Sequence, residues 1–429
     1  MNKNLNVLIF PSGSGVSKEI FDSLKYIRWI NLFGIDSDEK NFSYYQFENL
    51  ILGAPFIKDE DKTINYIKDI ILKHNIDCIF PAFDSIIVFL KKYEEILGVK
   101  IISSPFDTCN ICFSKKKTYD LLKDYINVPY VYNYEDVKEF PVFIKPECGY
   151  GSRDSLKINN KLELDFYNSK IKDNIICEYL QGEEFTVDCF SSKKNGLIYC
   201  EARKREKTVN GLSVLTSHIE LPEIKKIGEI ISKNLEFIGS WFFQVKYNKN
   251  NELSLLEIAP RIPGAASLHR NQGANFPLLS IYENFGYNID SVLTNNYDIS
   301  CYKCFENRFN LSIIYDTVYI DLDDTIILKN KVNTKIMQYL FYLKNNNKKI
   351  ILITRNIEPC IILEKYYIHI NLFDEIIKVK KNEKKSQYIN NLNSIFIDDS
   401  YQERIDVFNK NNIYVFSCDM IESLFNEKL

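Results

Sequence analysis

Apolar residues run together at residues 5–10 and stop at Pro11-Ser12-Gly13-Ser14-Gly15. From 17 to 26 they recur with helical spacing. A second predicted strand, 29–33, ends at Gly34-Ile35-Asp36. A predicted helix over 63–74 then leads into an apolar strand at 76–80, and Pro81-Ala82-Phe83-Asp84 opens another helix. A strand at 100–103 closes the region. Strands alternating with helices predict a parallel sheet wound on both faces. The Ser12–Gly15 loop fits a tight turn and also fits a phosphate-binding loop.

From residue 109 the rhythm changes. A basic helix starts at Ser114-Lys115-Lys116-Lys117, and a strand over 140–146 ends in Lys145-Pro146. Predicted strands follow at 175–180, 185–191, 196–203, 241–247 and 253–258, several of them alternating as antiparallel strands do. This is an α+β pattern. Near 307–310 a second α/β pattern begins, with buried strands at 317–320, 349–353, 375–379, 394–397 and 413–416. The expected domains are 1–108, 109–308 and 309–429, with no internal repeat and no low-complexity linker.

Composition narrows the function. With 45% hydrophobic and 14% aromatic residues the chain can build real cores, which excludes a disordered protein. Lys and Arg number 54 against 57 Asp and Glu, a net charge of -3. No long-range field draws in nucleic acid or an anionic membrane, so neither is an expected partner and phosphate recognition must be local. The apolar run from Val7 to Phe10 is too short for a signal-peptide core or a membrane span, and a cytoplasmic location is expected. Eleven cysteines, an odd count, suit reduced thiols. The pairs Cys109/Cys112 and Cys301/Cys304 lie far apart with no histidine nearby, which argues against a shared zinc site.

One constellation lies in the middle region. Lys145 at a strand end offers a point charge, and Gly149 and Gly151 let backbone amides approach phosphate oxygens. Around them come, in order, Lys115, the segment Glu178-Tyr179-Leu180 before Gly182-Glu183-Glu184, the basic strand with Arg203 and Arg205, and Gln244 and Glu257 on neighbouring strands. This order resembles the ATP-grasp superfamily, in particular its carbamoyl-phosphate-synthase-like carboxylate ligases, over residues 1–300. The resemblance implies that Lys115 and Lys145 contact the α- and β-phosphates and that the 148–153 loop, with Gly149, Gly151 and Ser152, closes over the triphosphate. It makes Glu178, Tyr179 and Leu180 the hinge whose backbone reads adenine, and Glu184 the holder of the ribose hydroxyls. Arg203 and Arg205 would face the transferring phosphoryl group, Gln244 and Glu257 would hold Mg²⁺, and Arg261 would steady the phosphate or a substrate carboxylate. The family's usual Asp before the first lysine is Ser114 here, and its usual Glu-Ile-Asn-Pro-Arg reads Glu257-Ile258-Ala259-Pro260-Arg261. Alanine offers no oxygen, and a water would fill that place. His269, beside Arg270, fits a structural role and fits a substrate contact, and His218 lies near the same region.

The second constellation is acidic. Asp321-Leu322-Asp323 follows an apolar strand directly, Thr354 ends another, and Asp398-Asp399 ends a third, with Lys384 and Lys385 between. Strand carboxyl ends are where α/β sheets bind ligands. The set resembles the haloacid dehalogenase (HAD) phosphatases, which implies a Rossmann-like domain with no large cap. By resemblance, Asp321 is the nucleophile, Asp323 the acid/base, Thr354 orients the phosphoryl group and Lys385 neutralises charge, with Lys384 as the alternative. Asp321, Asp323, Asp398 and Asp399 would bind Mg²⁺.

The two resemblances together imply a bifunctional enzyme. An ADP-forming ligase would activate a small-molecule carboxylate as an acyl-phosphate and pass it to an amine or another nucleophile. A Mg²⁺-dependent phosphomonoesterase would act on a phosphorylated substrate or product. ATP and Mg²⁺ are the implied cofactors, with Mn²⁺ as a substitute. Arg203, Arg205, Arg261 and Arg270 offer more cationic forks than ATP requires, which suits a phosphorylated amine. A small-molecule kinase, or a nucleotide sensor attached to a phosphatase, would carry the same motifs. The oligomeric state stays open, a homodimer included.

Overall fold

The computed structural model describes residues 4–149, 154–171, 173–209, 211–304, 306, 309 and 311–425. It divides into two compact units, 1–304 and 305–428. Among the described residues no helix is long and apolar enough to cross a membrane.

The first unit begins with a parallel sheet of β1 (Leu5–Phe10), β2 (Ile30–Asp36), β3 (Asn49–Leu52), β4 (Cys78–Pro81) and β5 (Lys100–Ile101), in the order β3-β2-β1-β4-β5. Both faces are buried, by separate apolar clusters that contain Val7 and Ile9 on one side and Leu8 and Phe10 on the other. The turn after β1 is closed internally. The Gly13 amide donates to Asp36 (2.6 Å), and Ser14 caps the helix Gly15–Leu24 by accepting from Ser17 N (3.0 Å). The loop is therefore a capped turn, with the Ser12, Gly13 and Ser17 amides bonded within the protein. β3 lacks a sequence signal because it is a half-exposed edge strand of four residues.

A four-stranded antiparallel sheet follows, in the order β6-β9-β7-β8: β6 (Val131–Tyr132), β7 (Val142–Pro146), β8 (Leu156–Ile158) and β9 (Asn174–Glu178). The third sheet is antiparallel, in the order β14-β13-β10-β11-β12-β15: β10 (Glu184–Ser192), β11 (Gly196–Val209), β12 (Leu212–Ile219), β13 (Gly239–Tyr247), β14 (Leu253–Ala259) and β15 (Ser300–Tyr302). The strand expected to stop at Arg203 runs on to Val209 and pairs with β12. The Asn-Gly dipeptide at 210–211 was its hairpin signal.

Period-two alternation gives this third sheet two unlike faces. Phe185, Val187, Trp241, Phe243 and Val245 pack in one cluster with Ile224 and Ile231 of the helix Pro222–Asn234. The other face carries a polar row across five strands: Glu257, Gln244, Thr186, Arg203 and His218 are successive cross-strand partners.

The second unit is a parallel sheet in the order β20-β19-β16-β21-β22: β16 (Thr317–Ile320), β19 (Lys349–Thr354), β20 (Glu375–Lys378), β21 (Ser394–Ile397) and β22 (Tyr414–Phe416). Between β16 and β19 lie the hairpin β17 (Ile327–Leu328) and β18 (Lys331–Val332) and the helix Thr334–Asn345. No large cap is inserted there.

The two-faced sheet yields a paired expectation. Phe243→Ala removes a fully buried ring and should cost about 3–5 kcal/mol. Gln244→Ala, one residue on and on the polar face, should cost about 0.5 kcal/mol or less. Urea unfolding of the two variants checks this, and equal losses would contradict the assigned faces.

Candidate functional site

Between the four-stranded and six-stranded sheets lies a cleft with ≈ 780 Å³ of space, open to solvent. Its lining brings together Lys115, Lys145, Gly149, Glu178, Tyr179, Leu180, Glu184, Gln244 and Glu257, nine of the residues expected from the sequence. Gly151 and Ser152 lie outside the described residues.

Each side chain arrives by a simple route. Ser114 caps the helix Lys115–Leu122 by accepting from Lys117 N (3.1 Å), and its hydroxyl bonds Glu147. Lys116 and Lys117 are exposed, whereas Lys115 turns inward and donates to Gly149 O (3.2 Å). Burial lowers the Lys115 pKa; the nearby Glu257 opposes that fall and Lys145 adds to it. Lys145, 6% exposed, donates to the Tyr119 hydroxyl (2.8 Å). Gln244 and Glu257 are direct cross-strand partners on β13 and β14. They offer an amide and a carboxylate oxygen, and Ala259, two residues on, is buried and offers none.

The arginines differ from the expectation. Arg203, Arg205 and Arg261 are not part of the cleft lining. Arg203 is buried against Asp188 (3.0 Å), whose same oxygen meets His269 Nδ1 (2.8 Å). Burial raises the Asp188 pKa, but Arg203 and His269 outweigh it and hold the carboxyl below its usual range. Arg205 pairs with Glu184 (2.7 Å) and donates to Gly211 O (2.8 Å). Arg261 grips Asp84 with two bonds (2.8 and 3.0 Å); burial works against its charge, yet Asp84 holds the guanidinium above its ordinary pKa. Arg203, Arg205 and Arg261 are each matched by a carboxylate, whereas the buried Arg270 Nε has no hydrogen-bond partner among the described residues. His269 is sealed and held by Asp188, which favours its structural role.

Residues 170–302 match the family model described as ATP-grasp in the biosynthetic pathway with Ter operon. A D-alanine--D-alanine ligase of Petrotoga mobilis is 28% identical over 196 residues, 41% of this chain and 65% of that enzyme. The chain thus spans less than two thirds of that relative. Among solved structures, the biotin carboxylase domain of Hydrogenobacter thermophilus 2-oxoglutarate carboxylase, in complex with MgADP, ADP and bicarbonate, superposes with a TM-score of 0.58. It is 14% identical and covers 69% of this chain and 73% of its own. An L-amino acid ligase of Bacillus licheniformis gives 0.54 at 18% identity, covering 66% of this chain and 75% of its own. The first unit has an ATP-grasp fold.

The ATP-grasp cleft also holds residues that reading the sequence missed. Lys246 and Phe143 line it, and Tyr119 stands behind Lys145. Two periods could have found them. Lys246 follows Gln244 by two on a strand, and Tyr119 follows Lys115 by four on a helix. Asp84 carried no local signal, since its partner Arg261 lies 177 residues away.

In the second unit, the carboxyl ends of β16, β19 and β21 bring Asp321, Thr354 and Asp398 to one edge of the sheet. Lys385 Nζ bridges Asp321 (2.6 Å) and Asp398 (2.7 Å), all three being buried. Burial pushes the Asp321 carboxyl up to about 7; Lys385 opposes the rise and the Asp398 charge reinforces it. Lys384 instead pairs with Asp406 (2.7 Å), so Lys385 is the lysine at the cluster. Asp321, Asp398 and Asp399 place one oxygen each within 4.8 Å of one another, a set able to hold a metal ion. Asp323 adds no side-chain oxygen to that set. Its carboxylate lies 3.5 Å from the Thr354 hydroxyl and accepts from the Asn356 amide (3.3 Å). Arg404 steadies the Asp398-Asp399 turn through both carbonyls (2.6 and 2.7 Å).

Removing Lys385 leaves two buried carboxylates without their cation. Lys385→Met should therefore cost about 3–5 kcal/mol. Because the folded state holds the Asp321 proton more tightly than the unfolded chain, the variant's stability should fall as pH rises through neutrality. Added Mg²⁺ should recover more stability in the variant than in the wild type. Thermal unfolding across pH, with and without Mg²⁺, measures both effects.

Proposed function

We propose that the first unit is an ADP-forming ligase that binds ATP and Mg²⁺ in the cleft and couples a small-molecule carboxylate to an amine or another nucleophile. The observation that carries this reading is the convergence of Lys115, Lys145, the 178–180 segment, Gln244 and Glu257 on one cleft. The residues fit the cofactors. Two lysines supply positive charge for phosphates, and Gln244 with Glu257 supplies two oxygens for a cation that keeps waters and shares phosphate oxygens. Glu184, at the cleft rim, would hold the ribose, with Arg205 fixing its carboxylate. When bound, ATP supplies the phosphoryl group that turns a carboxylate oxygen into a leaving group. The chain's own part is to hold the phosphates, place the metal and keep bulk water from the activated carbonyl.

The names of the relatives support this choice of reaction. The Petrotoga mobilis protein and the Bacillus licheniformis protein are both named as ligases of amino acids. Lys145→Ala should weaken nucleotide binding at least about tenfold, read by calorimetry on the folded variant. Unchanged affinity would remove the nucleotide assignment. Product analysis separates ligase from kinase: an acid-plus-amine pair must drive ADP formation, and a lone hydroxyl acceptor doing so would favour the kinase.

For the second unit we propose a Mg²⁺-dependent phosphomonoesterase of the HAD type. Its support is the Asp321, Asp398 and Asp399 cluster at one sheet edge, with Asp323 and Thr354 beside it. Asp321 would attack phosphorus, Asp323 would protonate the leaving oxygen and Lys385 would balance charge. Turnover of an aryl phosphate by the full chain should require Mg²⁺. Asp323→Ala should lower it on the order of 10²–10⁴-fold. Full activity in that variant would place the chemistry elsewhere.

A further inference from the structure

The phosphate lysine of the cleft does not stand alone. Lys145 is on β7 of the four-stranded sheet, and its Nζ donates to the Tyr119 hydroxyl at 2.8 Å. That hydroxyl in turn donates to Leu256 O at 2.6 Å. Leu256 is the extra residue of a bulge in β14: Gln244 faces Glu257, Val245 faces Leu255, and Leu256 has no partner in the ladder. A bulge leaves its extra residue outside the regular pairing, so this carbonyl is available to a side chain. The next residue is Glu257. One hydroxyl therefore links the lysine of one sheet to the metal strand of the other.

We propose that Tyr119 is a positioning residue for phosphate recognition, fixing the Lys145 ammonium and tying it to the strand that carries Glu257. This rests on the nucleotide reading of the cleft. Tyr119 is 2% exposed, and burial, with Cys177 and Glu257 nearby, drives its phenol pKa far above the usual value. It keeps its proton, which points to Leu256 O, and so presents a lone pair to Lys145. A lysine ammonium has three donors on a flexible stem. Anchoring one of them fixes the direction of the others.

Tyr119→Phe is a clean probe, because the buried ring remains while the acceptor is lost. Calorimetry with ADP and with adenosine, each against the full chain, reads the effect. ADP affinity should fall by about three- to tenfold, the size of one hydrogen bond, while adenosine affinity stays constant. In a Lys145→Ala background, or in Lys145→Met, which keeps the aliphatic stem, the same Tyr119 substitution should change ADP affinity no further. Equal losses for ADP and adenosine, the same loss with Lys145 already removed, or no loss of ADP affinity would each overturn the proposal. Wild-type protein that bound no ADP would overturn the nucleotide reading itself, and this proposal with it, before any variant was compared.

Discussion

In the first unit, everything at the cleft depends on the register of the six-stranded sheet. Residues directly opposite in antiparallel strands point to the same side, and a slip of one residue turns a strand over. Were β13 shifted by one, Phe243 would enter the cleft and Gln244 would enter the core among Phe185, Val187 and Val245. The large apolar side chains of that core therefore do more than stabilise the sheet. They fix which face of β13 and β14 is polar, and so place Gln244 beside Glu257. The bulge at Leu256 is a local departure beside the cleft, and it frees the carbonyl that Tyr119 uses.

The same burial that orders the sheet sets the fate of its charges. A guanidinium taken out of water costs several kcal/mol unless a carboxylate accompanies it. Arg203, 3% exposed, meets Asp188, and Arg261 meets Asp84. The lysines behave differently. Lys115 is held by the Gly149 carbonyl and Lys145 by a neutral hydroxyl, so neither side chain is neutralised by a carboxylate bonded to it. Lys115 and Lys145 thus keep donors free of a bonded carboxylate among the described residues, while Glu178, Glu184 and Glu257 share the cleft lining with them.

Much of this was legible in the sequence, and the failures have a common cause. The strands Thr317–Ile320 and Ser394–Ile397 stand where their apolar runs placed them, because strands buried on both faces of a parallel sheet read as uninterrupted apolar segments. Nine expected cleft residues converge, since local order and strand alternation place them. What could not be read was pairing across long separations. Nothing near Arg261 announces Asp84, and nothing near Arg203 shows that Asp188 and His269 close around it. A basic residue on a polar strand looks the same in sequence whether it faces a ligand or an internal carboxylate. The partner of Asp323 was hidden in the same way, because Asn356, which donates to its carboxylate, comes from the loop after β19.

On the proposed readings, the two units would meet the problem of phosphate charge from opposite sides. The cleft of the first is lined by Lys115, Lys145 and Lys246 together with Glu178, Glu184 and Glu257, so on the proposed reading a phosphate would meet lysine donors that the chain already supplies. The edge of the second offers three clustered carboxylates and one bridging ammonium, a set whose net charge repels phosphate until a divalent cation joins it. Lys385 bonds two of the three oxygen sources that such a cation would use, so the lysine and the metal address the same carboxylates. With burial holding the Asp321 proton up to about 7, cation arrival and proton loss are coupled. On the proposed reading, metal supply and pH would govern the second site together, while the first site, resting on fixed lysines, would depend mainly on how well Tyr119 and the sheet register hold them in place.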